Sequence, residues 1–197
     1  MNTDCHFRRG DRIEITTDAS PFGIGGFLCI NGQPVEYFAS PADECDARSL
    51  GVPHTQDSKC QQAFEALALL VALRLWRRHW AHVRCVIHVQ SDNMAALSTI
   101  CKMQTSSHAL GIIAREIALD TADAIYEPQI ASHVPGIANV VADTLSRRFD
   151  PAKTYSVPPP LVHAKEIQVE PRSGGWWRTL SGPGALSGSG RDRRRSN

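Results

Sequence analysis

The chain has 197 residues and 42% hydrophobic residues, enough for one domain with a real core and some chain to spare. No window reaches the ~18 uninterrupted apolar residues that a membrane helix needs. The net charge of +1 hides a split, because residues 11–150 hold 11 Lys and Arg against 16 Asp and Glu, whereas residues 151–197 hold 8 against 3. A domain that grips nucleic acid by charge alone should be basic. This acidic body either avoids nucleic acid or uses some of its acids to hold metal ions that reverse the local sign.

Residues 1–10 read as a flexible leader, and the ordered part begins near Arg12. Residues 12–17 alternate polar and apolar, the period-two signature of a strand. The stretch 20–26 is rich in turn formers, and residues 27–30 read as a second strand. Asn31-Gly32 is a strong hairpin signal, since a type I′ turn needs positive φ at both central residues. Residues 35–38 therefore return as a third, antiparallel strand. The segment 40–57, with Pro41, Gly51 and Pro53, reads as a polar loop.

Ser58-Lys59-Cys60-Gln61 resembles a capping box and opens a helix expected to run to about residue 80. Its middle is apolar almost all round, which marks a helix packed deep against a sheet. Residues 83–89 form a fourth strand, 94–103 and 106–123 two helices, 129–134 a fifth strand and 138–149 a last helix. Beyond Asp150 the Pro, Gly, Ser and Arg content is too high to offset ordering entropy, so 151–197 reads as a linker and disordered tail. Trp176-Trp177 is the feature that this reading leaves unexplained. Six cysteines without a CxxC pair, and an N-terminus without an apolar signal core, point to a reduced intracellular site, cytoplasmic or nuclear, rather than secretion.

The resulting order is a mixed α/β sheet of five strands, three antiparallel and then two parallel, flanked by helices. Sites in open α/β sheets lie at the carboxyl ends of strands, near a switch in strand order. Asp18 follows the first strand and Asp92 the fourth, so the two carboxylates emerge side by side if those strands are parallel neighbours. Each also has a bland role open to it, Asp18 as a turn residue and Asp92 as a helix N-cap. Glu65 is the single acid between Ser58 and His82 and lies in an apolar helix with no Lys or Arg one turn away. Burying it unpaired costs several kcal/mol, so it either needs a compensating partner or stands on a solvated helix face. Asp143 can pair with Arg147 at the favourable i, i+4 spacing. Four convergent carboxylates repel one another and are tolerable only with divalent cations between them. Hard oxygen ligands suit Mg²⁺ or Mn²⁺, and two such ions roughly 4 Å apart drive in-line displacement at phosphorus.

Thr17-Asp18-Ala19-Ser20 with Gly23 and Gly25-Gly26, Glu65 in its apolar helix, Ser91-Asp92-Asn93, and the stretch His133 to Arg147, read H-x-P-G-x-x-N-x-x-A-D-x-L-S-R, resemble the motifs of type 1 ribonucleases H. The version is most similar to that of gypsy-type LTR retrotransposon reverse transcriptases, and the match spans about residues 12–150. The resemblance implies a ribonuclease H-like fold over 11–150 and endonucleolytic hydrolysis of the RNA strand of RNA–DNA hybrids. It implies that Asp18, Glu65, Asp92 and Asp143 hold two Mg²⁺ ions, with Mn²⁺ as a substitute, and that His133 assists proton movement or product departure. Ser20, Asn93 and Asn139 are weaker substrate-binding candidates. The implied partners are the hybrid and the polymerase domains of the same polyprotein, with no membrane. The segment 102–107 has one lysine and no aromatic where free-standing relatives carry a basic protrusion, so hybrid binding is expected to depend on those polymerase domains.

Two other readings compete. A catalytically silent domain kept for structure or hybrid binding would tolerate loss of the acids, yet all four are present. A DDE-type integrase on the same fold would end its acid set on a glutamate in the last helix and lack Glu65. The basic cluster Arg74, Arg77, Arg78 and Arg84, with Trp76 and Trp80, reads either as a duplex contact or as a solvated helix end over packed tryptophans.

Overall fold

The computed structural model describes residues 10–53, 58–81, 85–91, 105–122, 127–130 and 136–180. The helix expected at 94–103 lies outside the described residues, as do Asp92, Asn93, His133 and the segment 181–197.

Strands β1 (Ile13–Ser20), β2 (Gly23–Ile30) and β3 (Gln33–Pro41) form an antiparallel meander. The turn between β2 and β3 is the expected one, with φ of 52° at Asn31 and 78° at Gly32. Strand β4 (Val86–Gln90) lies parallel to β1, and β5 (Glu127–Ile130) lies parallel to β4. The five expected strands are thus present in the expected directions, consistent with a ribonuclease H-like fold. A sixth, β6 (Lys165–Glu166), adds itself parallel to β3 and completes the order β5-β4-β1-β2-β3-β6.

Two expectations for the first third of the chain fail against this structure. The segment 40–57 is not all loop, because α1 (Glu44–Leu50) forms within it. Asp43 caps the Asp46 backbone while the Asp46 side chain returns to the Asp43 backbone, and Gly51 closes the helix at φ 65°. The sequence signal was present, with aspartate standing where glutamate or glutamine is usual. The turn-rich stretch 20–26 is not all turn either, because Gly23, Gly25 and Gly26 lie within β2, where other chain presses close against them.

Helix α2 (Ser58–Leu75) stops at Trp76, and a short α3 (Arg77–Trp80) follows. Its apolar middle is buried against β1 and β2 on one side and α4 (His108–Ala122) on the other, with Leu67, Leu69 and Leu70 essentially inaccessible. Each such side chain stabilises the fold by ~1.5–3 kcal/mol through removal from water. Trp76 and Trp80 are fully buried, Arg74 is bonded to Glu116 and Asp120, and Arg78 to Glu36. Of the described basic residues near these tryptophans, Arg74 and Arg78 are therefore occupied with internal ion pairs. On the opposite face of the sheet, α5 (Gly136–Ser146) packs Val141, Ala142 and Leu145 with Phe27, Tyr37 and Leu161.

Residues 151–180 are a packed strap rather than a disordered tail. Leu161 enters the core under α5, and β6 covers the outer edge of β3. The Arg172 guanidinium then bonds both Asp46 carboxylate oxygens (2.8 and 2.6 Å), Ser40 Oγ and the Pro41 carbonyl. Trp177, 1% exposed, joins the core on the α2 face, and the Arg74 guanidinium lies 4.4 Å from the Trp176 ring centroid. The paired tryptophans therefore fasten the strap. Composition concealed this because a few anchors, each with a distant partner, carry the attachment.

Candidate active site

Alternation along β1 sends Ile13 and Ile15 toward α2, and Thr16, Asp18 and Ser20 toward α5. Asp18 is 4% exposed, and its Oδ2 accepts a 2.6 Å hydrogen bond from Ser146 Oγ at the end of α5. Ser20 Oγ donates to the Ser146 carbonyl at 2.7 Å, so two β1 side chains hold the same helix end. The glycines make this approach possible. A Cβ on Gly25 would stand 2.5 Å from Leu145 Cβ and 2.7 Å from the Ser146 nitrogen. Only a residue without a side chain lets α5 lie this near the sheet.

Glu65 comes from the other face. It is 3% exposed, and Gln61, one turn earlier on α2, donates through Nε2 to both Glu65 Oε1 (3.0 Å) and the Ala19 carbonyl. One amide thus ties the glutamate to the residue that follows Asp18. The glutamine at i−4 partners Glu65 Oε1 and helps to offset the cost of burying it.

Asp143 is placed differently. Its side chain is 44% exposed, and Oδ1 accepts a 2.6 Å bond from Arg147 Nε, the expected i, i+4 pair. That bond holds the Arg147 guanidinium above its usual pKa, against burial and with help from the charges of Asp143, Asp18 and Asp150. Arg147 therefore stands within the field of the acidic site. Asn139 Oδ1, one turn before Asp143, is buried without a hydrogen-bond partner among the described residues.

The fourth acid position is approached through register. Ile13 faces Ile87 and Thr16 faces Gln90, an offset of 74 that also separates Asp18 from Asp92 in sequence. Strand β4 leads into Ser91, which is 1% exposed. Asp92 and Asn93, like His133, lie beyond what is described.

The structure therefore gathers Asp18, Ser20 and the end of α5, and ties Glu65 to the same strand end. Among the described residues, no three His, Cys, Asp or Glu side chains form a group able to hold a metal ion. The described carboxylate donors nonetheless have the chemistry that Mg²⁺ or Mn²⁺ selects, hard oxygens rather than thiolates. Gln61 and Ser146 were not expected as site residues. The i−4 spacing of Gln61 from Glu65 and the i+3 spacing of Ser146 from Asp143 were the signals available. No described helix is long and apolar enough to cross a membrane. The chain matches no family model and no curated protein.

Proposed function

We propose that this chain is a ribonuclease H domain of the type found in gypsy-like retroelement reverse transcriptases, hydrolysing the RNA strand of RNA–DNA hybrids. The observation that carries the reading is that two deeply buried acids are tied to the carboxyl end of the central strand, Asp18 from within it and Glu65 through the Gln61 bond to the Ala19 carbonyl. Burying acids at the end of a strand is costly, which favours a ligand-binding or reactive role for those oxygens.

Asp18, Glu65, Asp92 and Asp143 would hold two divalent cations, which when bound supply an activated water and stabilisation of the departing 3′ oxygen. The protein's own contribution is positioning. Ser146 fixes the Asp18 carboxylate by donating to Oδ2, and Gln61 fixes Glu65 by donating to Oε1. A Glu65 held in this way would lie where it can meet the ribose 2′-hydroxyl that distinguishes RNA from DNA. His133 would assist proton movement or product departure. The polymerase domains of the same polyprotein would supply the basic surface for the hybrid that residues 11–150 lack.

The test is a substitution series in the full chain. Asp18→Asn and Glu65→Gln should abolish cleavage of a labelled RNA–DNA hybrid in Mg²⁺, because an amide cannot replace a charged metal ligand. His133→Ala should leave measurable activity, since acid–base assistance contributes ~10²–10⁴-fold and water substitutes in part. Cleavage that persists in Asp18→Asn would refute the reading.

A further inference from the structure

We infer that Arg147 is an internal counter-cation, which holds Asp143 in the metal-free protein and must release it before a divalent ion can take that carboxylate. The inference rests on the two-cation reading of the site and names a residue that regulates it.

The geometry carries the argument. Arg147 Nε lies 2.6 Å from Asp143 Oδ1, one helical turn along α5, at the helix end that Ser146 fastens to Asp18. Among the described residues the acids form no group of three, and Asp143, bonded to the Arg147 guanidinium, stands 44% exposed. The neighbouring Arg148 is committed elsewhere, paired with Glu166 on β6 and facing the Tyr155 ring at 4.8 Å. Of the two arginines that follow α5, Arg147 therefore turns back to Asp143 and Arg148 reaches the strap.

A guanidinium and a divalent ion compete for the same carboxylate oxygen, and like charges repel at close range. With Arg147 present, the site is less self-repelling when empty and harder to load. With Arg147 removed, the empty site is more strained and the ion binds more tightly. The pair is partly exposed, so the effect on affinity is modest, roughly two- to fivefold.

The experiment uses the full chain and Mn²⁺ as the probe, with free Mn²⁺ read by electron paramagnetic resonance and each variant melted in chelator. Arg147→Gln should bind Mn²⁺ more tightly than wild type by the stated factor and melt lower in chelator. Arg147→Lys should fall between them, since an ammonium at the same spacing still pairs with Asp143. Arg148→Gln should match wild type in Mn²⁺ affinity, which separates a specific pair from a general loss of positive charge. Equal or weaker Mn²⁺ binding by Arg147→Gln, with wild type binding normally, overturns the inference and leaves the metal reading intact. Failure of both wild type and Arg147→Gln to bind Mn²⁺ overturns the metal reading, and the inference with it.

Discussion

Arg172→Met tests whether the strap is part of the folded domain. The Arg172 side chain is 5% exposed and Asp46 is fully buried, and the guanidinium makes four bonds to Asp46, Ser40 and Pro41. Methionine keeps the apolar stem and removes every one of those donors. Asp46 is then left as a buried carboxylate without its counter-ion, a loss worth about 3–5 kcal/mol. Against a typical total of ~5–15 kcal/mol, that is a large share of the stability. At ~2–4 °C per kcal/mol for a domain of this size, the melting temperature should fall by roughly 6–20 °C. The double variant Asp46→Asn, Arg172→Met removes the stranded charge and should recover at least half of the loss. Asparagine can still accept the Asp43 backbone N–H within the α1 capping box, so the helix start is spared. Thermal and urea melts by circular dichroism provide both numbers. A single variant that melts within ~2 °C of wild type, below the smallest shift a lost buried pair should give, would refute the docked strap.

Gly25→Ala should destabilise by about 1–3 kcal/mol, because its methyl would meet Leu145 and Ser146 backbone rather than a yielding side-chain tip. Melts should show this loss, with a smaller one for Gly32→Ala, where the space is open and the cost is the positive φ alone. Burial pushes the Glu116 carboxyl up, but bonds from Thr179, Arg74 and the Arg178 backbone outweigh it and hold its pKa below the ordinary 4.5. A depressed pKa gives stability that is complete above 4.5 and lost as pH falls below it. Glu116→Gln should accordingly flatten the melting temperature between pH 4.5 and the acid limb relative to wild type, and an unchanged slope would argue against the pairing. Burial, with the Glu14 charge adding, pushes the Cys29 thiol up to about 12. Alkylation at pH 8, followed by mass spectrometry, should therefore label Cys29 far more slowly than a free thiol, because the thiolate is the reactive form.

How much was legible follows from the range of the interactions involved. The meander could be read because alternation and Asn31-Gly32 are local, and the buried Glu65 because an acid in an all-apolar helix is conspicuous. The Asp143–Arg147 pair was visible as i, i+4 spacing. Helix α1 escaped because seven residues hold too few turns for a period to emerge, leaving its caps as the main clue. The strap escaped because its anchors find partners 126 residues away, as Arg172 does at Asp46. Ser146 as the residue holding Asp18 was equally hidden, since it depends on how closely α5 lies over Gly25.

The measurement that bears most directly on the central claim is end-group analysis of the products from a labelled RNA–DNA hybrid incubated with the full chain and Mg²⁺. The account predicts internal cuts in the RNA strand with 5′-phosphate and 3′-hydroxyl ends, because water rather than the ribose 2′-hydroxyl attacks phosphorus. Single-stranded RNA and duplex DNA should survive, and chelation should stop the reaction. Products ending in 2′,3′-cyclic phosphate, or an intact hybrid at millimolar Mg²⁺, would contradict it.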